Sequence, residues 1–325
     1  MFVLLGSNGQ ITSQLAPLLL ARNHRVRVVG RRAGALAPLE RAGAQVVVGD
    51  PGDAAFLERA FAGATAVYTM VPPCYDEPNM RAAQDRIGAA IAQALQKVRV
   101  PRVVNLSGIG AELRAGTGPI EGLHAQERRL DAISGIDLLH LRAGSFMENF
   151  LPAAAAVAAT GVLPGMEVPD ASIPMVGVSD IVAFAARELT APQHRGVVLL
   201  HAQRHVTPRE AAAAIGAAIG RPGLEYVQSA PAQAKAALRA QGLSANAVDQ
   251  LEALARWLST SPLASTAVAP VVVQPTTIET FARERFAAVF AQVAVELSER
   301  QIGGWRETAH RGTKAIAHPR RSHRG

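Results

Sequence analysis

Gly6-Ser7-Asn8-Gly9-Gln10-Ile11-Thr12 stands between a short apolar run, Phe2–Leu5, and a helical stretch, Thr12–Arg22. Glycine at 6 permits a tight turn, and glycine at 9 lets the backbone approach a bulky anion. The helix start that follows offers unpaired N–H groups and a partial positive charge. Together these suit the pyrophosphate of a dinucleotide, held by residues 6 to 11, and the placement after a strand and before a helix is what that chemistry requires. A glycine-rich turn without a ligand is the plainer reading, and the context weighs against it. Thr12 stands where a third glycine would serve helix–strand packing, and it is small enough for that role.

Gly30-Arg31-Arg32 closes the second apolar run, Arg25–Val29. A site for NAD places an acid there to hold the ribose 2′-hydroxyl. This chain has no acid at that point and two arginines instead. Their guanidinium forks suit a 2′-phosphate, so the expected cofactor is NADP(H), bound by Arg31 with Arg32 beside it. Two solvated arginines in an arginine-rich chain are the competing reading. Gly49-Asp50-Pro51-Gly52-Asp53 follows the third run. Asp50 is assigned to the adenine amine, and Asp53 to the N-cap of the helix Ala54–Phe61.

The elements that must position these residues alternate from the start. Strand signals at Phe2–Leu5, Arg25–Val29, Gln45–Val48, Ala66–Val71, Arg102–Leu106 and Asp137–Leu141 are separated by helical stretches, among them Met80–Lys97 and Gly122–Ile133. Such alternation implies a doubly wound parallel sheet, an α/β fold, and continuous apolar runs fit strands covered on both faces. After Asn149 the pattern loosens. Helices are expected at Ala153–Ala159, Ile181–Leu189, Pro208–Ile219, Ala232–Gln241, Ala245–Leu258 and Ile278–Leu297, with one late strand at Val197–Leu200. The expected division is a dinucleotide-binding domain over 1–150, a smaller, mainly helical lobe over 151–302 with some segments returning to the sheet, and a disordered basic tail over 303–325.

Composition narrows the function classes. The 325 residues are 49% apolar and 18% charged, enough for a sizeable core. The net charge of +7 is concentrated at the end: Trp305–Gly325 holds five Arg and one Lys against one Glu, and the other 304 residues carry only about +2. No basic face or motif for specific nucleic-acid binding emerges. The single cysteine, Cys74, excludes a disulfide framework and a Cys-based zinc site. His201 and His205 lack convincing ligand spacing, so no metal is expected. No apolar run reaches the ~18 residues of a membrane span. The opening residues read as a strand, not a leader, and a cytoplasmic location is expected.

These residues resemble the NmrA-like family of atypical short-chain dehydrogenases and reductases. The resemblance runs from residue 1 to about 300. It rests on Gly6-x-x-Gly9, Arg31, Gly49-Asp50-x-x-Asp53, Asn105-Leu106-Ser107-Gly108, His124 ahead of Ser134-Gly135-Ile136, and Ile173-Pro174-Met175-Val176-Gly177-Val178-Ser179-Asp180-Ile181. The most specific segment is Leu141-Arg142-Ala143-Gly144-Ser145-Phe146-Met147-Glu148-Asn149. The resemblance implies a Rossmann domain with a small C-terminal lobe. It also implies either a reductase, acting on quinone-like or azo acceptors, or a redox sensor that binds NADP(H) without catalysis.

Typical short-chain dehydrogenases carry a Tyr-x-x-x-Lys pair. Here Pro72, Asn79 and Ala230 stand four residues after Tyr68, Tyr75 and Tyr226, and the only lysines are Lys97, Lys235 and Lys314. The pair is absent, which also argues against an isomerase or epimerase. His124 occupies the lysine's place, as a general acid, a ribose contact or an exposed helical histidine. Ser107 is expected near the nicotinamide, and Val71 and Pro72, where the fourth strand stops, join the cofactor set. Phe146, Met147 and Asn149 are candidates for the substrate cleft, with a plug at the domain junction as the alternative for the first two. A small-molecule acceptor is the expected partner, and a homodimer or protein partner is left open.

Overall fold

The computed structural model describes residues 1–6, 9–261 and 269–297. Ser7 and Asn8 of the glycine turn, and the basic segment 303–325, lie outside the described residues.

The first half is a regular alternation: β1 (Phe2–Leu5), α1 (Thr12–Ala21), β2 (Val26–Gly30), α2 (Ala33–Arg41), β3 (Gln45–Val48), α3 (Ala54–Phe61), β4 (Ala66–Thr69), α4 (Met80–Val98), β5 (Arg102–Gly108), α5 (Ile120–Asp131) and β6 (Asp137–Ala143). The six strands expected from the sequence are all present. The second half contains β7 (Ser145–Phe146), a 3-10 segment Met147–Ala153, α6 (Ala154–Thr160), β8 (Val162–Gly165), β9 (Met175–Val176), α7 (Val178–Thr190), β10 (Gly196–Ala202), α8 (Pro208–Ala218), β11 (Glu225–Gln228), α9 (Pro231–Ala240), α10 (Ala245–Thr260), β12 (Val271–Gln274) and α11 (Ile278–Phe281). A π-helical stretch, Ala282–Phe286, continues α11 into a helix over 287–297.

Eight strands form one parallel sheet in the order β12-β10-β6-β5-β4-β1-β2-β3. The chain runs outward from β1 through β2 to β3, then returns to β4 on the other side of β1. The order therefore reverses between β1 and β4, and a crevice opens there beyond the strands' carboxyl ends. Only one late strand is expected from the sequence, but two join the sheet. The additional strand is β12, Val271–Gln274, at the sheet edge and paired on β10 alone.

Both faces of the sheet are covered, as the apolar strand runs require. Leu15 and Leu19 of α1 and Phe184 and Leu189 of α7 pack on one face with Leu4 and Leu139. Phe61, Ile91 and Leu95 pack on the other with Val3 and Val103. A separate core holds the lobe together, with Met147, Leu163, Ile215, Phe281 and Phe286 fully or almost fully buried.

One lobe helix crosses to the sheet domain. The backbone N–H of Ser244, the N-cap of α10, donates to the Tyr75 carbonyl at 2.9 Å. Met80 N–H, at the start of α4, donates to Asn246 Oδ1 at 3.0 Å. Ala247 is buried with the α3–α4 side of the sheet. No helix among the described residues is long and apolar enough to cross a membrane.

Candidate active site

Two cavities lie side by side over the carboxyl ends of the strands. The outer one, about 290 Å³, sits at the reversal of strand order and is lined by Leu5, Gly6, Gly9, Arg31, Arg32 and Pro51, among others. The inner one, about 270 Å³, lies over β4, β5 and β6 and is mostly apolar. Met70 and Pro73 line both, so the two adjoin at the end of β4.

The outer cavity follows from local backbone chemistry. Gly6 has φ +87°, and a Cβ there would stand 3.2 Å from Met70 Sδ, so the turn requires glycine. Gly9 N–H closes the turn on the Gly6 carbonyl at 2.8 Å. α1 starts after Ile11 without a side-chain cap; Ser13 N–H donates to the Gly9 carbonyl at 3.2 Å and Gln14 N–H to the Ile11 carbonyl at 3.0 Å, which leaves the N–H groups ahead of them to a ligand or water. Ile11 itself is buried in the core, and Gln10 is exposed. Thr12 is 2% exposed and its hydroxyl donates to the Leu5 carbonyl at 2.7 Å, so it ties the helix to β1 where a third glycine would pack.

Arg31 and Arg32 are exposed and line the outer cavity at the end of β2. At the end of β3 the lining residue is Pro51; Asp50 is not part of the wall. Its carboxylate accepts from Gly52 N–H at 2.9 Å and pairs with Arg86 Nη1 at 2.8 Å, which uses the group expected to meet adenine. Partial burial pushes this carboxyl up, but the Gly52 N–H, Arg86 and the nearby Arg31 charge hold it below the ordinary range. Asp53 caps α3, accepting from Phe56 N–H at 3.2 Å. Pro72 lines the outer cavity and Val71 the inner one.

The inner cavity is assembled from distant parts of the chain. Val71, Leu106, Ile109, Leu123, Phe146 and Leu254 give it an apolar wall, and Tyr75, Gln84, Ser107, Ser145 and Asn149 are polar groups in its lining. Phe146 and Asn149 thus reach the cleft. Met147 does not: it is fully buried among the lobe's apolar residues, because the 3-10 segment turns it toward that core. Trp257 of α10 roofs the cavity over the β5–α5 loop. Its approach depends on Gly110, at φ +96°, where a Cβ would fall 2.5 Å from the indole ring.

Under the inner cavity lies a buried ionic cluster. Arg142 on β6 holds Glu127 of α5 through two bonds, Nε–Oε1 at 3.0 Å and Nη2–Oε2 at 2.7 Å, and Glu112 through Nη1 at 2.9 Å. Ser107 Oγ donates to Glu127 Oε1. Burial pushes the Glu127 carboxyl up, but the Arg142 bonds, His140 and the Ser107 hydroxyl together hold it below the ordinary range. The Ser107 proton is therefore committed to a carboxylate, and only oxygen lone pairs are left to face the cavity.

His124 stands apart from the lining. Its Nδ1–H donates to the Ala111 carbonyl at 2.8 Å, which pins the β5–α5 loop to α5. The cluster of Glu127, Arg142 and Glu112, and the aromatic pair Tyr75 and Trp257, were missed in the sequence. A charged residue inside the apolar run Leu138–Ala143 was a signal for Arg142. No local signal marks Trp257, whose role depends on α10 crossing between lobe and sheet. Among the described residues, no group of three or more His, Cys, Asp or Glu is placed to hold a metal ion.

The described residues of the outer cavity fit a dinucleotide: a glycine turn, an uncapped helix start and two arginines at the β2 end. Comparisons with known proteins point the same way. An NAD(P)H azoreductase of Xenophilus azovorans is 29% identical over 262 residues, covering 78% of this chain and 87% of that protein. A (4-alkanoyl-5-oxo-2,5-dihydrofuran-3-yl)methyl phosphate reductase of Streptomyces griseus is also 29% identical, over 74% of this chain and 81% of that protein. The fold is shared with the NADPH complex of an NADPH-dependent quinone oxidoreductase from Escherichia coli, at TM-score 0.67 and 21% identity, covering 88% of this chain and 100% of that one. It is shared too with a triphenylmethane reductase of Citrobacter sp. in complex with NADP(H), at TM-score 0.71 and 17% identity, over 88% and 100%. The family model described as NAD(P)H-binding matches residues 6–188, more than half of the chain, and with that match and this site the chain belongs to the NAD(P)H-binding family, in keeping with its NmrA-like resemblance.

Proposed function

We propose that the chain is an NADPH-dependent reductase that passes hydride to a small conjugated acceptor, quinone-like or azo, held in the inner cavity. The observation that carries this reading is the adjacency of the two cavities. A basic, glycine-lined outer chamber shares Met70 and Pro73 with an apolar chamber of about 270 Å³, close to the size of small-ligand sites. The two 29%-identical relatives are both named for reductions, one of an azo compound and one of a conjugated ring phosphate.

In this reading residues 1–150 bind the dinucleotide. Gly6, Gly9 and the start of α1 hold the pyrophosphate, and Arg31, with Arg32 beside it, holds the 2′-phosphate. When bound, the reduced nicotinamide supplies a hydride. Ser107, with its proton given to Glu127, offers an acceptor oxygen to the nicotinamide amide or to a substrate N–H or O–H. Residues 151–302 supply the acceptor's surroundings: Asn149 borders that segment, and Trp257 and Leu254 exclude water from above. His124 positions the loop under Trp257.

A second reading has one observation behind it: the Tyr-x-x-x-Lys pair is missing, which suits a non-catalytic NADP(H) sensor. NADPH consumption against a panel of quinones, azo dyes and conjugated carbonyls separates the two. Turnover with any acceptor supports the reductase. Tight NADPH binding without turnover on any of them supports the sensor.

A further inference from the structure

Reduction of a conjugated acceptor needs a proton as well as a hydride. We propose that Tyr75, on the loop between β4 and α4, is the proton donor of the inner cavity. The inference rests on the reductase reading and goes beyond it by naming the acid.

The lining of the inner cavity contains no Asp, Glu, His, Lys, Arg or Cys; among the described lining residues Tyr75 is the one titratable side chain. Neither of the two groups that sequence position favours offers a proton to the cavity. The Ser107 proton is donated to Glu127, which Arg142 keeps ionised. The Nδ1 proton of His124 is donated to the Ala111 carbonyl, and His124 does not line the cavity. Gln84, Ser145 and Asn149 can form hydrogen bonds but do not ionise at accessible pH.

Tyr75 is also held in place. Its carbonyl accepts from Ser244 N–H, which clamps the loop to the first turn of α10. Cys74 before it has φ +55°, a left-handed conformation that re-aims the chain just after Pro73. The residue keeps 39% of its surface exposed, which places it at the mouth of the cavity, within reach of water. Burial pushes the phenol up from its ordinary value and keeps it protonated.

The step balances as follows. The acceptor gains two electrons with the hydride. The Tyr75 O–H bond breaks, and its proton bonds to the acceptor atom that carries the new electron pair. The phenolate left behind regains a proton from water at the mouth. Each turnover consumes one NADPH and one solvent proton and yields NADP⁺ and the two-electron-reduced acceptor.

Tyr75→Phe tests this with two readouts. In steady-state reduction of a water-soluble azo dye and a 1,4-naphthoquinone at saturating NADPH, kcat should fall by about 10²-fold or more, the lower end for general acid catalysis. The NADPH dissociation constant should be unchanged, and the solvent deuterium isotope effect on kcat should collapse toward one. Independently of turnover, benzamide presents a carbonyl in place of the acceptor. Its affinity for the NADP⁺ complex, by calorimetry, should fall about two- to tenfold on removing one hydrogen bond. A kcat within twofold of the native protein overturns the proposal while leaving the reductase reading intact. If the native protein reduces no acceptor, the reductase reading fails, and the calorimetry alone judges Tyr75. Equal benzamide affinity, or no binding to either protein, then overturns its role as a donor.

Discussion

The outer and inner cavities share Met70 and Pro73 yet are built by opposite means. The outer one is made by short stretches of chain: a turn at Gly6 and Gly9, and two arginines one residue past a glycine. Its chemistry is backbone geometry plus fixed charge, and neither needs distant partners. The inner one gathers β4, β5, β6, α5, the Gly144–Phe146 turn, Pro174 and α10, parts drawn from both halves of the chain. Where backbone makes a site, residue spacing suffices to find it. Where side chains converge, the tertiary fold must be known first.

Four substitutions can break or sharpen this contrast. The largest effect is expected at the floor of the inner cavity. Arg142→Met removes the cation from Glu127, which is 4% exposed, and losing one partner of a buried pair costs about 3–5 kcal/mol. Urea unfolding should show that loss; a change below 1 kcal/mol would mean that water solvates the cluster. The same carboxylate sets a pH dependence. Its folded value lies below the ordinary ~4.3 of a free glutamate. The stability it contributes is therefore fully present above that value, and is lost as pH falls through the lower folded value. In Arg142→Met the folded value rises, so this acid-side loss should shrink and the melting profile should flatten at low pH.

Arg31→Ala acts on the outer cavity alone. A charge-assisted bond is worth ~1.5–3 kcal/mol, so NADPH affinity should drop roughly ten- to a hundredfold while NADH affinity stays constant. Equal affinity for the two cofactors in the unmutated protein would remove the basis for this assignment.

Gly110→Ala acts on the inner cavity alone. It forces a side chain into φ +96° and against the Trp257 ring, with about 1–2 kcal/mol of backbone cost. The acceptor KM should rise severalfold and NADPH binding should hold. If the cofactor constant moves instead, the two chambers are not separable.

The smallest effect is expected at His124. Because its ring is occupied with the Ala111 carbonyl and lies off the lining, His124→Ala should lower kcat by less than tenfold. A loss beyond a hundredfold at saturating NADPH, with the fold intact, would make His124 catalytic.

Much of the fold was legible because the parallel strands are continuous apolar runs broken by glycine or proline. The late strand β12 was not, since it stands outside the regular strand–helix alternation that marks the first six. The two-residue strands β7 and β9 leave none at all. In the candidate site, Gly6, Gly9 and Arg31 line the outer cavity, and their spacing alone marks them as candidates. Asp50 shows the limit of that logic: the residue stands where expected, but Arg86, on another element, has claimed its carboxylate. Met147 shows the same limit, for one turn of 3-10 helix decides whether it faces cleft or core. Tyr75 had no pattern to reveal it; it matters only because Ser107 and His124 are already committed.

The most direct test of the reductase reading is loss of deuterium from NADPH labelled on one face or the other at C4 of the nicotinamide, in the presence of an azo or quinone acceptor, read by mass spectrometry of the spent cofactor because N–D and O–D bonds of the reduced acceptor exchange with water. The account predicts that the label leaves one face of the nicotinamide, with one NADPH consumed per two-electron reduction and the rate lowered by Tyr75→Phe. NADPH that binds with the expected preference yet keeps its label in the presence of every acceptor would contradict it.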